Sequence, residues 1–223
     1  MRIRKSNNSI FLLLFLCFIY TLSNSQSCIS INFTGFGYHP FDIPNHNIFE
    51  NSISKNDRLV VEPGFFLSYQ KFIILTHTSL QLSSGIYSDA VANFSSFNAL
   101  YLKRKFYHKY KSSFTLALGC AYILRKKWSE VSGYVPESNF RIGEKFETRF
   151  NFTGELTYYY YLSKKSDIDI GIIYGHQYNT FTFFIGYRYW INPNVRFRDC
   201  NTCGDKKFNR GRLKTWIKRH IKF

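Results

Sequence analysis

Beyond residue 28 the sequence has no apolar run near the roughly 20 residues that a membrane-spanning helix needs. Any membrane role of this part must therefore come from strands or from the surface. The chain also lacks a second pair of ligands that could complete a zinc site with Cys200 and Cys203. We therefore predict no metal site and no cofactor.

Methionine is scarce, with one residue, whereas aromatic side chains make up 20% of the chain, including 17 Tyr and 24 Phe. Tyrosine and phenylalanine have high β propensity, and they also form the aromatic girdles of membrane barrels. The composition therefore favours a protein built from strands.

The net charge of +16 is unevenly distributed along the chain. Residues 192–223 hold ten basic and two acidic side chains, which is half of the excess, so the remaining chain is only mildly basic. A secreted protein with such a tail meets anionic lipid, lipopolysaccharide or peptidoglycan before it meets nucleic acid. We expect those partners and no nucleic acid.

The first 25 residues have the order of a secretory signal. Arg2, Arg4 and Lys5 precede an apolar run over residues 10–20, and small residues follow at Ser23 and Ser25. We predict that residues 1–25 are a cleaved signal peptide, residues 26–192 a single barrel domain and residues 193–223 a basic periplasmic tail.

After the signal, eight segments alternate apolar and polar residues, and the gaps between them are long and short in turn. This rhythm predicts an all-β, eight-stranded antiparallel up-and-down transmembrane barrel, with long loops outside and both termini in the periplasm. The predicted strands are 29–38, 58–69, 72–83, 96–106, 112–125, 148–162, 167–176 and 180–191.

The polarity of the two strand faces separates a membrane barrel from a soluble one. One face carries Ser, Thr, Asn, Gln, Glu, Arg and Gly, and the other carries Leu, Ile, Phe and Tyr. A polar interior with an apolar exterior is the arrangement of membrane barrels. A soluble lipocalin-like carrier of an apolar ligand would need the reverse, and it remains the second alternative.

The signal peptide, the eight alternating strands and the aromatic final strand GYRYWIN resemble the small outer-membrane β-barrel proteins of Gram-negative bacteria. The resemblance covers residues 29–192. It implies an outer-membrane location and a structural, adhesive or interaction role through the long loops. The apolar outer face of the strands would then contact outer-membrane lipid and lipopolysaccharide.

Charged side chains on the polar strand faces would meet inside the barrel. Because eight strands leave an interior that side chains fill, we predict a plug of paired charges and not an open pore. The predicted lumen network is Glu62, Arg104, Arg125, Arg149, Glu155 and Arg188.

His77 and Ser79 are the one catalytic hint, and they support an alternative function. An i, i+2 pair on a strand places both side chains on one face, within reach of a base–nucleophile hydrogen bond. The His-x-Ser pattern is similar to that of lipid A deacylases, which implies a lipid-modifying hydrolase. The acidic partner of those enzymes is not evident here.

Three cysteines fall at one end of the predicted barrel. Cys28 precedes the first strand, whereas Cys200 and Cys203 follow the last. Since the periplasm permits disulfides, we predict one bond among these three, either between Cys200 and Cys203 or from Cys28 to one of them. The tail after them has apolar and basic residues near helical spacing, which is typical of a segment that binds an anionic surface.

Overall fold

The computed structural model describes residues 26–191, apart from residues 42, 54–57, 75–76, 110, 137–139, 164 and 178. The predicted signal peptide and basic tail lie outside the described residues. In the described part of the chain, no helix is long and apolar enough to cross a membrane.

Strands dominate the described chain, and two short 3-10 helices lie in its connections, over Ile43–Ile48 and Trp128–Glu130. The strands are β1 (Ser27–Tyr38), β2 (Leu59–Ile74), β3 (Thr78–Ser88), β4 (Phe94–Lys109), β5 (Ser112–Lys126), β6 (Arg141–Ile142), β7 (Phe146–Tyr161), β8 (Ser166–Tyr174) and β9 (Phe181–Trp190).

Eight of these strands close into an antiparallel up-and-down barrel. Neighbours in sequence pair throughout, β5 pairs with β7, and β9 pairs with β1 to close the ring. The two-residue strand β6 pairs only with β7 and belongs to the connection between β5 and β7. The predicted fold class is confirmed.

Connections of unequal length lie at opposite ends of the barrel. Residues 39–58, 89–93, 127–145 and 175–180 join strands at one end, called here the loop end. The pairs β2–β3, β4–β5 and β7–β8 are joined at the other, called the turn end, where β1 begins and β9 finishes.

Alternation along each strand separates an apolar outer surface from a mostly polar interior. In β5, Leu116 and Leu118 are exposed, whereas Thr115, Ala117 and Ala121 are buried. Large apolar side chains on the outer surface reach 66% exposure at Leu118 and 77% at Phe152. This is the inverted arrangement of a membrane barrel, because a soluble barrel hides such residues inside.

Two predicted boundaries are wrong. The turn expected at residues 70–71 is not there, because Gln70 stays in register with Gln81 and β2 continues to Ile74. The connection expected at residues 84–95 spans only 89–93, because Gly85 and Tyr87 continue the inward face of β3.

Candidate functional site

Lys103 and Glu155 form a buried ion pair in the lumen. Their side chains are 1% and 2% exposed. Lys103 Nζ also donates to Gln81 Oε1 at 3.0 Å and to Tyr159 Oη at 2.6 Å. Ala117 of β5 is the register partner of Lys103 on β4 and of Glu155 on β7. Its small side chain leaves space for the ion pair to form across it. Each ion is therefore paired with a countercharge and further hydrogen bonded.

A second ion pair lies nearer the turn end. Arg188 and Asp167 are register partners on β9 and β8, and Arg188 Nη2 lies 2.6 Å from Asp167 Oδ2. Trp190 Nε1 donates to the same oxygen at 2.6 Å. The guanidinium carbon of Arg188 stands 3.5 Å from the centre of the Tyr159 ring. The two ion pairs are thus joined through Tyr159, which touches both cations.

Two further pairs lie toward the loop end. Arg125 and Glu147 are register partners, joined by a hydrogen bond of 2.9 Å from Nε to Oε2. Glu62, which is fully buried, lies 2.9 Å from Nε2 of His39. Ion pairs and one histidine–glutamate hydrogen bond therefore occur along the interior from the loop end toward the turn end.

Most of the predicted lumen residues are placed inside. Glu62, Arg125, Glu155 and Arg188 are buried there, and half-buried Arg149 holds its guanidinium carbon 5.4 Å from the centre of the Phe140 ring.

Arg104 was expected in the lumen, and this placement is wrong. It is exposed on the outer face of β4, while its neighbour Lys103 points inward. Strand alternation explains the correction, because Leu100 and Leu102 face outward and every second residue shares their side.

Sequence reasoning missed Lys103, Glu147 and Asp167 as members of the lumen network. The signal that could have found them is position along each strand. Lys103 is two and four residues from buried Tyr101 and Ala99, so it shares their inward face. Glu147 lies opposite Arg125, and Asp167 lies opposite Arg188, in the strand pairs.

The two residues His77 and Ser79 do not lie on one strand as expected. His77 is exposed in the turn before β3, whereas Ser79 is buried and accepts a 2.6 Å hydrogen bond from Gln70 Nε2. Both residues border a pocket of about 10 Å³ beside Lys103 and Arg188. This is space for about one water molecule and not for an acyl chain.

An aromatic layer crosses the lumen between the Lys103 and Arg188 ion pairs and the two pairs nearer the loop end. Phe66, Phe97 and Phe184 are buried together, with ring centres 5.6 Å apart for Phe66–Phe97 and 5.3 Å for Phe66–Phe184. His176, from the connection after β8, packs edge-on against Phe97 with 3.8 Å between ring centres. Burial lowers the pKa of His176 to about 3, so the ring is neutral.

Three connections pack together above this layer. Ile48 and Phe49 of the first, Ala90 and Val91 of the second and Trp128 of the third form one buried apolar cluster with Val60. We call residues 39–58, 89–93 and 127–145 the cap. Its apolar cluster packs described residues of all three connections against one another.

Asp89 is the polar centre of the cap. Its carboxylate accepts hydrogen bonds from Trp128 Nε1 at 2.8 Å, from Ser95 Oγ at 3.0 Å and from the backbone N–H of Asn93 at 2.8 Å. Burial raises the pKa of Asp89 above its ordinary value, and these donors oppose that rise. One carboxylate therefore ties the third connection to the second.

Cys28 is buried at the turn end, in an apolar cluster with Phe72 and Trp190. Its Sγ lies 3.5 Å from Gln70 Oε1. The other members of the predicted disulfide, Cys200 and Cys203, lie outside the described residues, so this bond stays a prediction.

Strand pairing, outer surface and filled interior together define a small eight-stranded β-barrel of the outer-membrane type. No protein-family model and no curated protein matches the sequence.

Similar solved structures include three small outer-membrane barrels. Ail, the attachment invasion locus protein of Yersinia pestis, is 13% identical with a TM-score of 0.46, covering 74% of this chain and 98% of that one. The N-terminal β-barrel domain of Pseudomonas aeruginosa OprF is 13% identical with a TM-score of 0.46, covering 75% and 99%. Neisserial surface protein A is 9% identical with a TM-score of 0.46, covering 74% and 96%. At such identities the likeness concerns the fold alone.

Proposed function

We propose that this protein is an integral outer-membrane barrel that serves a structural, adhesive or interaction role through its cap. The packing of three connections into one apolar cluster is the observation that carries the proposal. The turn end would face the periplasm and the cap the cell exterior, as in barrels with short periplasmic turns.

The outer surface supports membrane insertion. Leu100, Leu102, Leu116 and Leu118 of adjacent strands are each about half exposed or more, which is unfavourable in water and favourable in lipid. We expect unheated protein in detergent to migrate faster on a denaturing gel than boiled protein, because a closed barrel stays compact. Identical migration, with no lipid integration, would instead support the soluble alternative.

The interior and the cap differ in what they can offer a partner. The ion pairs and the aromatic layer occupy the lumen, whereas the cap exposes apolar side chains at Phe41, Val135 and Ile142, the last by 66%. Exposed apolar side chains mark interaction sites where they form a contiguous patch. The cap is therefore the region that we assign to partner binding.

Cysteine labelling on intact cells tests the orientation. A membrane-impermeant maleimide should label a Val135→Cys variant directly, and a Lys111→Cys variant only after the outer membrane is opened. Labelling of the wild-type protein measures the signal from its own cysteines, which is subtracted. The reverse pattern would reject the proposed orientation.

Attachment assays test the interaction role. Cells that display the double variant Phe41→Ser/Ile142→Ser should bind cultured epithelial cells at least threefold less than cells with the wild-type protein. Ser129→Ala, another exposed cap position, is the control. Equal attachment at equal surface levels in all three strains would reject an adhesive role of the exposed apolar groups.

A further inference from the structure

The turn end of the β4–β5 hairpin mixes aromatic and basic residues. The sequence Arg-Lys-Phe-Tyr-His-Lys-Tyr-Lys occupies residues 104–111. Phe106 is 62% exposed and Tyr107 45%, and Arg104 and Lys111 are also exposed. Both rings and cations are therefore available at the barrel surface.

The rings continue across the neighbouring strands. Phe114 of β5 has its ring centre 6.1 Å from that of Phe106, 6.0 Å from that of Tyr107 and 4.9 Å from that of Tyr158 on β7. Tyr158 Oη lies 2.8 Å from Ser112 Oγ. We call Arg104, Phe106, Tyr107, Lys111, Phe114 and Tyr158 the aromatic–basic patch.

The patch begins where the apolar outer band ends. Arg104 is the register partner of Leu116, and Leu102 is the partner of Leu118. Aromatic rings favour the boundary between hydrocarbon and headgroups, and long cationic side chains reach from there to the phosphates. Along β4 the leucines are followed by Arg104 and then by the rings, so the long Arg104 side chain reaches the phosphates by extending past the rings.

Charge at the turn end is of one sign on the outer surface. Glu155, Asp167 and Asp169, the described carboxylates of this half, are buried in the lumen, where Lys103 and Arg188 pair with the first two. At the loop end, by contrast, Glu50, Glu130 and Glu144 are exposed. Among the described residues, the exposed carboxylates therefore lie at the loop end and not at the turn end.

We propose that the aromatic–basic patch binds anionic glycerophospholipid headgroups in the leaflet at the turn end of the barrel. The inference rests on the proposed membrane insertion. Arg104 and Lys111 contact the lipid phosphate and the rings pack against the glycerol and upper acyl region. A lipid fits better than a soluble polyanion, because the patch is continuous with the apolar band.

Lipid selectivity in vesicles tests this inference. The full-length protein is placed in phosphatidylcholine vesicles, and its contact with spin-labelled phosphatidylglycerol is compared with that of spin-labelled phosphatidylcholine. We expect a preference of about threefold to tenfold for the anionic lipid, since each cation near a surface favours it severalfold. The preference should fall toward unity in Arg104→Gln/Lys111→Gln and at high salt.

A loop-end double variant, Lys126→Gln/Lys145→Gln, removes the same charge from exposed positions and is the matched control. It should retain the preference. Equal loss in both double variants, or no preference in the wild-type protein, would overturn the inference. So would loss of binding to purified peptidoglycan in Arg104→Gln/Lys111→Gln with unchanged lipid preference. Failure to integrate into any vesicle would overturn the proposed function as well.

Discussion

Lys103 shows how the lumen accommodates charge. It is buried, and its four polar contacts come from β3 and β7, on either side of β4 and β5. Removing one member of such a pair leaves the other ion buried without its countercharge, which is far more costly than removing both.

We therefore predict that Lys103→Met lowers the free energy of unfolding by about 3–5 kcal/mol. Lys103→Met/Glu155→Leu should recover most of that loss. Arg104→Met, one residue away on the outer face, should change stability by less than about 0.5 kcal/mol. Urea titration of folded protein in lipid vesicles measures all three, and equal losses for Lys103→Met and Arg104→Met would contradict the assigned orientation of β4.

His176 makes stability depend on pH. Because burial holds its pKa at about 3 in the folded protein, against an ordinary value of 6.5, only the unfolded chain gains this proton between those values. The contribution of His176 to the free energy of unfolding is therefore fully present above about pH 6.5 and falls as the pH is lowered toward 3.

Between pH 7.5 and 5, the free energy of unfolding should drop by about 2 kcal/mol more in the wild-type protein than in His176→Phe. The surrounding rings of Phe66, Tyr87 and Phe97 suit the added phenyl group. His77→Phe, at an exposed turn position, should keep the wild-type pH dependence. Unfolding titrations at the two pH values measure this difference. An equal drop in the free energy of unfolding for wild type and His176→Phe would show that His176 does not cause the pH dependence.

Strand packing depends on a close approach between β4 and β5. A Cβ added to Gly119 would lie 2.0 Å from the backbone oxygen of Leu100, whereas one added to Gly35 meets nothing within 4 Å. We predict that Gly119→Ala destabilises the barrel by about 1–3 kcal/mol, because the backbone must shift. Gly35→Ala should stay near wild type. Thermal unfolding compares them, and similar midpoints would contradict this packing.

The cap loops depend on one indole. Trp128→Ala should open residues 127–145, because it removes both apolar contacts and the hydrogen bond to Asp89. Trypsin cleavage after Lys126 or Lys127 should accelerate at least tenfold while the strands stay folded. Val135→Ala, in the same connection but exposed, is the control, and equal cleavage rates would argue against a packed cap.

Alternation along the strands was enough to predict eight strands and the inward direction of Glu62, Glu155 and Arg188. It failed where both faces carry similar residues. In β4, basic residues occupy consecutive positions, so Lys103 and Arg104 differ only in parity, which depends on the leucines before them. The β2–β3 turn was misplaced because polar Gln70 and Lys71 are typical of turns, yet Gln70 binds Ser79 inside the barrel.

The cap could not be predicted from strand periodicity. Its cluster joins Phe49, Val91 and Trp128, which are distant in sequence and lie in connections without a repeating pattern. Asp89 likewise carries no signal until its donors are brought together by the fold. Long-range packing, and not local propensity, determines this part of the molecule.

The barrel as a whole is expected to be closed to ions. Buried ion pairs and the aromatic layer occupy the interior, and an eight-stranded barrel has just enough width for such side chains. In a planar lipid bilayer the purified protein should show no steady ohmic conductance between pH 6 and pH 8. The control for insertion uses the same protein preparation in lipid vesicles. Protein recovered from those vesicles should still migrate as the compact, unheated form. A stable conductance that persists in Trp128→Ala and wild type alike would mean that the lumen is open, and the charges inside would then belong to a pore.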